Sequence, residues 1–223
     1  MHYLQRLHDG NLFDVVGGGG VVTAGLLLSG GMDSIAIAWW KRPAFAITID
    51  YGQRAAAAER LAATQVCSEL GIQHSIITID CRSLGSGDMS YAPPHAEAKT
   101  SDWWPYRNQM LITLASMRAI ALGVRTLYIG TVRSDGESHL DGTEDFVRKV
   151  DELTSYQEGG MRIVAPAIGL STAELVREAR VPPSLLAWSH SCHKADIACG
   201  DCRGCNKYLD TYRELGPEYS IVD

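Results

Sequence analysis

The chain has 223 residues and a formal net charge of −6 at pH 7, with 46% hydrophobic and 21% charged residues. This length suits one α/β domain with a small appended unit, and the balance is typical of a protein that folds around its own core. The acidic charge and the lack of a lysine or arginine run exclude binding of nucleic acid through an overall basic field, so nucleic acid is not an expected partner.

The sequence shows neither a membrane-spanning nor a secretory pattern. No run of about 20 apolar residues occurs, which is the length that a transmembrane helix needs. Near the start, Asp9, Asp14 and the glycines at 17–20 interrupt any apolar stretch of the signal-peptide kind. We therefore expect a cytoplasmic protein whose thiols stay reduced, so its six cysteines do not predict a disulfide framework.

Short apolar runs alternate with amphipathic segments along most of the chain. The runs that predict strands are VVTAGLLLSGG, PAFAITIDYG, HSIITIDC, VRTLYIGTV and, as a short strand or loop, MRIVAPAIG. Alternation of strands and helices favours a doubly wound α/β fold, in which right-handed crossovers join a parallel sheet. The residues up to the glycine run show little periodicity and predict an arm, with a hairpin strand, that ends in a turn.

Helices are predicted between these strands. The predicted helical segments are Asp33–Trp40, the stretch AAAAERLAATQVCSELG ended by Gly71, Asn108–Leu122, Thr143–Tyr156, a segment beginning at Ser171 with a capping box to Glu174, and Asn206–Leu215. Residues 85–101 are polar and predict a long mobile loop. We divide the chain into an α/β domain, residues 1–187, and a C-terminal unit, residues 188–223, which we name the four-cysteine module.

The stretch LLLSGGMDS, Leu26–Ser34, has the pattern of a phosphate-binding loop. A buried strand runs into Ser29–Gly31, and Asp33 then opens a helix. Adjacent glycines let backbone N–H groups approach an anion, and the helix N-terminus adds a positive dipole. Because a carboxylate repels phosphate, the role predicted for Asp33 is to hold Mg²⁺. A glycine-rich turn in which Asp33 only caps the helix is the alternative.

The second predicted strand ends in residues that are candidates for ligand contact. Strand carboxyl ends line the crevice of a doubly wound sheet, and this strand is expected beside the loop strand. Gln53 and Arg54 follow it, and an arginine suits charge-assisted hydrogen bonds to phosphate. A turn that carries a surface arginine is an equal alternative.

Four of the cysteines form the pattern C-x6-C-x2-C-x2-C. They are Cys192, Cys199, Cys202 and Cys205. Four thiolates saturate a tetrahedral zinc ion and leave no open position, so the pattern predicts a structural zinc site. An iron–sulfur cluster held by the same ligands stays open as an alternative. His190 and His193 flank the first cysteine and are expected as polar neighbours of the site.

The loop resembles the SGGxDS loop of the N-type ATP pyrophosphatases, in which it grips the pyrophosphate of ATP. Taken with DYGQR, PYRN and the cysteine pattern, the chain also resembles the 7-cyano-7-deazaguanine synthase family over about Leu26–Leu215. SGGxDS alone is widespread, whereas DYGQR with the four-cysteine tail is much narrower. The resemblance implies an adenine nucleotide α hydrolase-like, Rossmann-like fold and an ATP-dependent C–N ligase that releases AMP and pyrophosphate.

That family acts on 7-carboxy-7-deazaguanine. By the resemblance, ATP adenylates the carboxylate, ammonia converts the adenylate to an amide, and a second activation yields the nitrile. The implied cofactors are ATP, Mg²⁺ and Zn²⁺, and the relatives commonly form homodimers.

The resemblance also assigns residues to these roles. Those implied for ATP binding are Leu28, Ser29, Gly30, Gly31, Asp33, Ser34, Asp50, Tyr51, Gln53, Arg54 and Gly130. Those implied for substrate binding are Arg107, Asn108, Asp135 and Asp141. Catalytic roles fall to Asp33, Arg107 and Asp135, with Asp33 also implied for Mg²⁺ and the four cysteines for zinc.

Three stretches depart from the family pattern. The substrate loop around YPDCR becomes SHLDGTEDF, in which only Asp141 survives. An LTKAE-like stretch becomes Leu170–Glu174 without its lysine, and the WSC start of the zinc module becomes Ser189–Cys192. We therefore expect the ATP and zinc sites to be intact, whereas the sequence near the acceptor differs from the family pattern.

These departures leave other functions open. One is a ligase that joins the activated deazaguanine to the N-terminal amine of a protein, as in related enzymes of bacterial antiphage systems. Another is a zinc-ribbon module that binds nucleic acid and keeps a vestigial nucleotide site, against which the acidic charge and intact SGGMDS argue. A tRNA-thiolating relative would need a catalytic cysteine, and neither Cys67 nor Cys81 has an activating sequence context.

Overall fold

The computed structural model describes residues 23–219, which form one five-stranded sheet. Its strands are β1 (Ala24–Leu27), β2 (Phe45–Asp50), β3 (Gln73–Thr78), β4 (Thr126–Tyr128) and β5 (Arg162–Val164). Their order is β3-β2-β1-β4-β5, and all four pairings are parallel. The predicted parallel sheet is therefore confirmed, whereas the predicted N-terminal arm lies outside the described residues.

Helices connect these strands. The α-helices of the described part are α1 (Met32–Lys41), α2 (Ala56–Leu70), α3 (Arg107–Ala121), α4 (Arg133–Gly136), α5 (Glu144–Tyr156), α6 (Thr172–Ala179), α7 (Pro183–Leu186) and α8 (Arg203–Leu215). Single 3-10 turns lie at Arg82–Leu84, Gly87–Met89, Leu140–Gly142 and Pro217–Tyr219. The sequence did not predict α4 and α7, because one helical turn is too short to show a period. No helix in residues 23–219 is long and apolar enough to cross a membrane.

Local side-chain chemistry sets the helix ends. Before α6, the Ser171 hydroxyl accepts a hydrogen bond from Glu174 N at 3.1 Å, and Glu174 Oε2 accepts one from Ser171 N at 2.7 Å. The predicted capping box is therefore confirmed. Helix α8 begins three residues earlier than predicted, because the Cys202 sulfur accepts a hydrogen bond from Cys205 N at 3.4 Å and caps the first turn.

The sheet separates two apolar cores. Leu26 and Leu28 belong to a first core that includes α1, α2, α6, α7 and α8. Ile47 and Ile49 belong to a second core that includes α3 and α5. Alternate residues of a strand point to opposite faces. Helices therefore cover both faces, and the inner strands β1 and β2 are largely buried as in other doubly wound folds, whereas the edge strand β3 is partly exposed.

The strand order places a crevice at the carboxyl ends of β1 and β4. From β1 the chain continues to β2 and β3 on one side, whereas β4 and β5 lie on the other. The helix after β1 packs in the first core, and α5, after β4, packs in the second. Neighbouring connections that leave in opposite directions create the switch point at which doubly wound proteins bind ligands.

Candidate active site

The Ser29–Gly31 loop joins β1 to the N-terminus of α1 at the switch point. Gly30 has a left-handed backbone (φ +80°), and a Cβ there would lie 2.6 Å from the Glu59 carbonyl oxygen, so the turn accepts only glycine. The Ser34 hydroxyl donates a hydrogen bond to the Gly31 carbonyl at 2.9 Å and lies 3.2 Å from the Ser29 hydroxyl. These contacts hold the backbone in an open turn above the helix N-terminus.

Two other segments close around this loop. Gly130 follows β4, and a Cβ there would lie 3.2 Å from both N and Cβ of Ser34. A glycine thus lets the end of β4 approach the first turn of α1. On the other side, His190 N donates a hydrogen bond to the Gly30 carbonyl at 2.9 Å. The four-cysteine module therefore contacts the Ser29–Gly31 loop directly.

A cleft of about 290 Å³ opens at this point. The sequence-predicted site residues that line it are Leu28, Ser29, Gly31, Asp33, Tyr51, Arg107, Asn108, Gly130, Asp135 and Asp141. Gly30, in the middle of the loop, and Ser34, in the first turn of α1, do not line the cleft. Asp50, Gln53 and Arg54 do not line the cleft.

The Gln53 side chain is buried and hydrogen-bonded inside the protein. Its Oε1 accepts a hydrogen bond from Tyr51 N at 2.9 Å, and its Nε2 donates to Glu59 Oε2 at 2.7 Å. Burial raises the pKa of Glu59, which lines the cleft, to about 7. The amide of Gln53 therefore shapes one wall of the cleft through Tyr51 and Glu59, and its contact with ATP stays a prediction.

Asp50 and Arg54 lie on the outer side of the same turn. Asp50 Oδ2 forms an ion pair with Arg60 at 3.0 Å. The Arg54 guanidinium lies 5.2 Å from the ring centre of Tyr91. Both side chains point to partners outside the cleft, so their assignment to ATP also stays a prediction.

Two carboxylates and one ammonium meet beneath the loop. Lys207 Nζ lies 2.9 Å from Asp33 Oδ2 and 2.9 Å from Asp135 Oδ1. The other Asp135 oxygen accepts a hydrogen bond from Val132 N, while Asp33 Oδ1 is buried without a hydrogen-bond partner. Burial raises the pKa of Asp33, and the charge of Lys207 opposes this rise. Burial lowers the pKa of Lys207, but the two carboxylates outweigh burial and raise it, so the ammonium stays charged.

Sequence reasoning missed Lys207. Its position two residues after Cys205 says nothing about a partner near the start of the chain. The hydroxyl of Thr172 also lies beside Asp33, at the position where the resemblance expects a lysine. The ammonium that reaches Asp33 therefore comes from α8, not from the start of α6.

Arg107, Asn108 and Asp141 lie together on another wall of the cleft. Asn108 Nδ2 donates a hydrogen bond to the Asp141 carbonyl at 3.3 Å, and Arg107 Nη2 lies 3.4 Å from Asn108 Oδ1. Arg107 also contacts the Met89 sulfur. Burial lowers the pKa of Arg107, but the charges of Tyr51 and Asp141, among others, outweigh it, so the net direction is upward. Three of the predicted substrate residues are thus brought together.

A polar cluster around the buried Asp102 forms the floor of the cleft and joins the four-cysteine module to the rest of the protein. Asp102, which is 3% exposed, lies 2.8 Å from Arg203 Nη1, 3.4 Å from His139 Nε2 and 3.5 Å from His193 Nδ1. Burial raises the pKa of Asp102, but the hydrogen bond of His139 and the charge of Arg203 hold it well below its usual range. Burial, with the charge of Arg107, lowers the pKa of His193 to about 4. The sequence predicted His193 only as a neighbour of the metal site and did not predict the other three.

The four cysteines converge on one point. All four Sγ atoms lie within 4.8 Å of one another, and two of the distances, Cys199–Cys205 and Cys192–Cys202, are 3.9 Å. Four sulfurs at about 2.3 Å from a zinc ion stand roughly 3.8 Å apart. An iron–sulfur cluster, which places several atoms between its thiolates, would spread them further. The residues therefore fit a single tetrahedral metal ion.

The fold and the site define a doubly wound α/β protein with a Ser-Gly-Gly loop at the switch point and a four-cysteine cluster beside it. The model of the protein family described as "Queuosine biosynthesis protein QueC" matches residues 23–216. The chain belongs to this family. The resemblance predicted from the sequence motifs is thereby confirmed.

Similar proteins carry the name 7-cyano-7-deazaguanine synthase. The one from Methanosarcina barkeri is 31% identical over 88% of this chain and 96% of its own length. Those from Desulforudis audaxviator and Stutzerimonas stutzeri are 31% and 32% identical, each over 86% of this chain and over 96% and 93% of their own lengths. The similarity thus extends over most of each protein.

Proposed function

We propose that the chain is an ATP-dependent C–N ligase that adenylates the carboxylate of 7-carboxy-7-deazaguanine, amidates it and carries the amide on to the nitrile. The observation that carries this proposal is the cleft at the switch point, where the Ser29–Gly31 loop and Asp33 share one space with Arg107, Asn108 and Asp141. The name of the relatives supports the deazaguanine substrate.

The chemistry needs activation because a carboxylate is a poor electrophile. A carboxylate oxygen attacks the α-phosphorus of ATP, and pyrophosphate leaves. Ammonia then attacks the acyl carbon, AMP leaves, and loss of a proton gives the amide. A second ATP adenylates the amide oxygen, and departure of AMP with loss of two protons from nitrogen gives the nitrile. Positioning and charge stabilisation supply the catalysis, so no nucleophilic side chain is required.

The residues of the cleft divide between these tasks. Backbone N–H groups of the Ser29–Gly31 loop and the N-terminus of α1 suit the leaving pyrophosphate. Arg107, half-buried in the cleft wall, suits the substrate carboxylate or the α-phosphate, where a guanidinium makes paired hydrogen bonds. Asn108 and Asp141 offer the amide and carboxylate groups that recognise the edge of a purine-like ring.

Two metal ions fit this scheme. Asp33, with a buried oxygen that has no hydrogen-bond partner, and Asp135 would hold Mg²⁺, which supplies positive charge between phosphate oxygens when bound. The four cysteines would hold Zn²⁺, which cross-links the module and takes no part in the chemistry. The homodimer expected from the resemblance stays a prediction.

The proposal is tested with purified protein, MgATP and 7-carboxy-7-deazaguanine, with and without ammonium. Mass spectrometry follows the amide and nitrile, and a coupled assay follows AMP. We expect ammonium-dependent product and AMP release, both abolished in Asp33→Asn. Asp145→Asn is the matched control, because Asp145 is an exposed aspartate on α5 that pairs with Arg148 and Lys149. No AMP release with this substrate would overturn the proposal.

A second candidate acceptor is the N-terminal amine of a protein. The observation that favours it is Leu140, which is 83% exposed next to Asp141 and Gly142 in the cleft wall. An exposed leucine beside an acceptor site suits contact with a polypeptide. In the same assay, AMP release or a trapped adenylate without an ammonium-dependent product would favour this acceptor, whereas nitrile or amide formation would exclude it as the main route.

A further inference from the structure

We propose that Lys207 occupies the cation position between Asp33 and Asp135 in the nucleotide-free protein, so that a divalent cation enters the cleft only together with the phosphates of a nucleotide. The inference rests on the proposed function in one respect, namely that the ligand is a complex of metal and nucleotide. It adds the order of binding and a role for a lysine that the motifs do not include.

Lys207 lies where a metal ion between Asp33 and Asp135 would lie. One ammonium bridges two carboxylates at equal distances of 2.9 Å, which is where a divalent cation with oxygen ligands would bind. Asp33 and Asp135 lie in α1 and α4, the helices that follow β1 and β4, which are the two strands of the switch point. Lys207 therefore stands in for a metal ion at the point where the fold brings the two acids together.

The charge of Lys207 opposes the binding of a metal ion without a nucleotide. Two carboxylates and one ammonium leave one net negative charge, which is a weak attraction for a divalent ion. An added ion would also lie close to the ammonium, and like charges at such distances repel strongly in a partly buried site. Nucleotide phosphates reverse this balance, because they bring several negative charges that can bind both the metal ion and the displaced ammonium. Metal and nucleotide are therefore expected to enter together.

The Lys207 side chain is free to move away from the two carboxylates. The lysine reaches the cleft from α8, within the four-cysteine module, while the acids belong to α1 and α4 of the α/β domain. Its side chain is 30% exposed and has a long flexible stem, so it can turn from the carboxylates to a phosphate without movement of the helix. Asp33 and Asp135 are less exposed, at 16% and 28%, and stay in place.

The test measures metal binding without turnover. Mn²⁺ serves as a paramagnetic probe, and electron paramagnetic resonance gives its affinity for the full chain without nucleotide. The variants are Lys207→Met, Lys207→Arg and Lys149→Met, the last removing an exposed lysine that pairs with Asp145 on α5. We expect Lys207→Met to bind Mn²⁺ at least about tenfold more tightly than the wild type, since two carboxylates lose the ammonium between them. Lys207→Arg and Lys149→Met should match the wild type.

Two further measurements make the test decisive. Asp33→Asn added to Lys207→Met should abolish the gain, and a gain that persists would place the ion elsewhere and overturn the inference. In the wild type, α,β-methylene-ATP should tighten Mn²⁺ binding by about tenfold or more. Equal Mn²⁺ affinities with and without this nucleotide, or for wild type and folded Lys207→Met, would overturn it. No deazaguanine is present, so failure of the proposed substrate leaves these results standing.

Discussion

At the scale of single residues, the shape of the cleft depends on positions where the backbone accepts only glycine. Gly30 combines a left-handed backbone with a contact that a side chain would occupy, and this could be suspected from the SGG pattern alone. Gln53 and Arg54 also stand in a recognisable motif, but neither side chain lines the cleft: Gln53 supports its wall from inside the protein, and Arg54 lies near Tyr91. A motif thus indicates which segment matters better than which atoms face the ligand.

We expect Gly30→Ala to lower the free energy of unfolding by about 2 kcal/mol, through backbone strain and the contact with Glu59 O. It should also reduce ATP–pyrophosphate exchange, since the loop must shift. Gly71→Ala is the control, because Gly71 has a similar backbone (φ +67°) but open space around its Cβ position. Chemical denaturation and the exchange assay separate the two effects. Equal losses of exchange in both variants would show that strain alone matters.

Glu59 should make stability depend on pH. Burial raises its pKa to about 7 from an ordinary value of 4.5, so the folded state holds a proton that the unfolded state releases between these values. The free energy of unfolding should therefore fall as the pH rises from about 4.5 to 7. Glu59→Gln removes the ionisation and keeps an acceptor for Gln53. We expect the free energy of unfolding of Glu59→Gln to exceed that of the wild type by about 2 kcal/mol at pH 8 and to equal it near pH 4. The difference at pH 8 is moderate because water in the cleft reduces the cost of ionising Glu59.

Denaturation of both proteins across this pH range checks the prediction. Glu69→Gln, an exposed position at the other end of α2, should follow the wild type at every pH. A constant difference between Glu59→Gln and the wild type would mean that packing and not ionisation separates them.

At the scale of elements, α8 links three parts of the molecule. Its first turn carries Cys205 of the four-cysteine cluster, the next positions bring Lys207 to Asp33, and its last residue, Leu215, is buried in the first core. A change at the cysteines should therefore reach both the cleft and the core. The sequence predicted the helix, yet it did not predict that the helix starts within the cysteine cluster.

We expect Cys199→Ser to lose bound zinc and to lower the Tm by on the order of 10 °C, because the proposed metal ion would cross-link the start of α8 to the preceding loop. Plasma mass spectrometry for zinc and thermal unfolding by circular dichroism give the two readouts. Cys67→Ala, which changes a buried cysteine of the first core, should keep its zinc. A Cys199→Ser protein that is metal-free and equally stable would contradict a structural role for the ion.

At the scale of the whole molecule, the Asp102 cluster connects three distant stretches of chain. Asp102 lies in the loop before α3, His139 in the loop before α5, and Arg203 at the start of α8. A buried carboxylate between a guanidinium and two imidazoles fixes their relative position around the cleft floor. Such a cluster is costly to break, since the partly buried Arg203 then loses its counter-charge.

Asp102→Asn should lower the free energy of unfolding by about 3 kcal/mol at pH 7, because Arg203 loses its buried counter-charge. Urea denaturation measures the change, with Asp145→Asn as an exposed control that should cost less than about 1 kcal/mol. Equal, small losses in both variants would mean that the cluster contributes no more than a surface ion pair.

The sequence by itself determined what depends on neighbours along the chain. Five features act over a few residues each: the alternation of strands and helices, the Ser171–Glu174 capping box, the end of α2 at Gly71, the SGGMDS loop and the cysteine spacing. Those that the structure or the family comparison tests are confirmed. The single-turn helices α4 and α7 were missed because they are too short to repeat a pattern.

Only the tertiary structure decided which side chains meet across the chain. Lys207 and Asp33 are 174 positions apart, and Arg203 and Asp102 are 101 apart. Such contacts depend on how α8 packs on the sheet and on the order of the strands, and no local periodicity encodes either. The Ser29–Gly31 loop and the four-cysteine cluster could therefore be predicted from spacing, whereas Lys207 could be found only once the fold brought α8 to the start of α1.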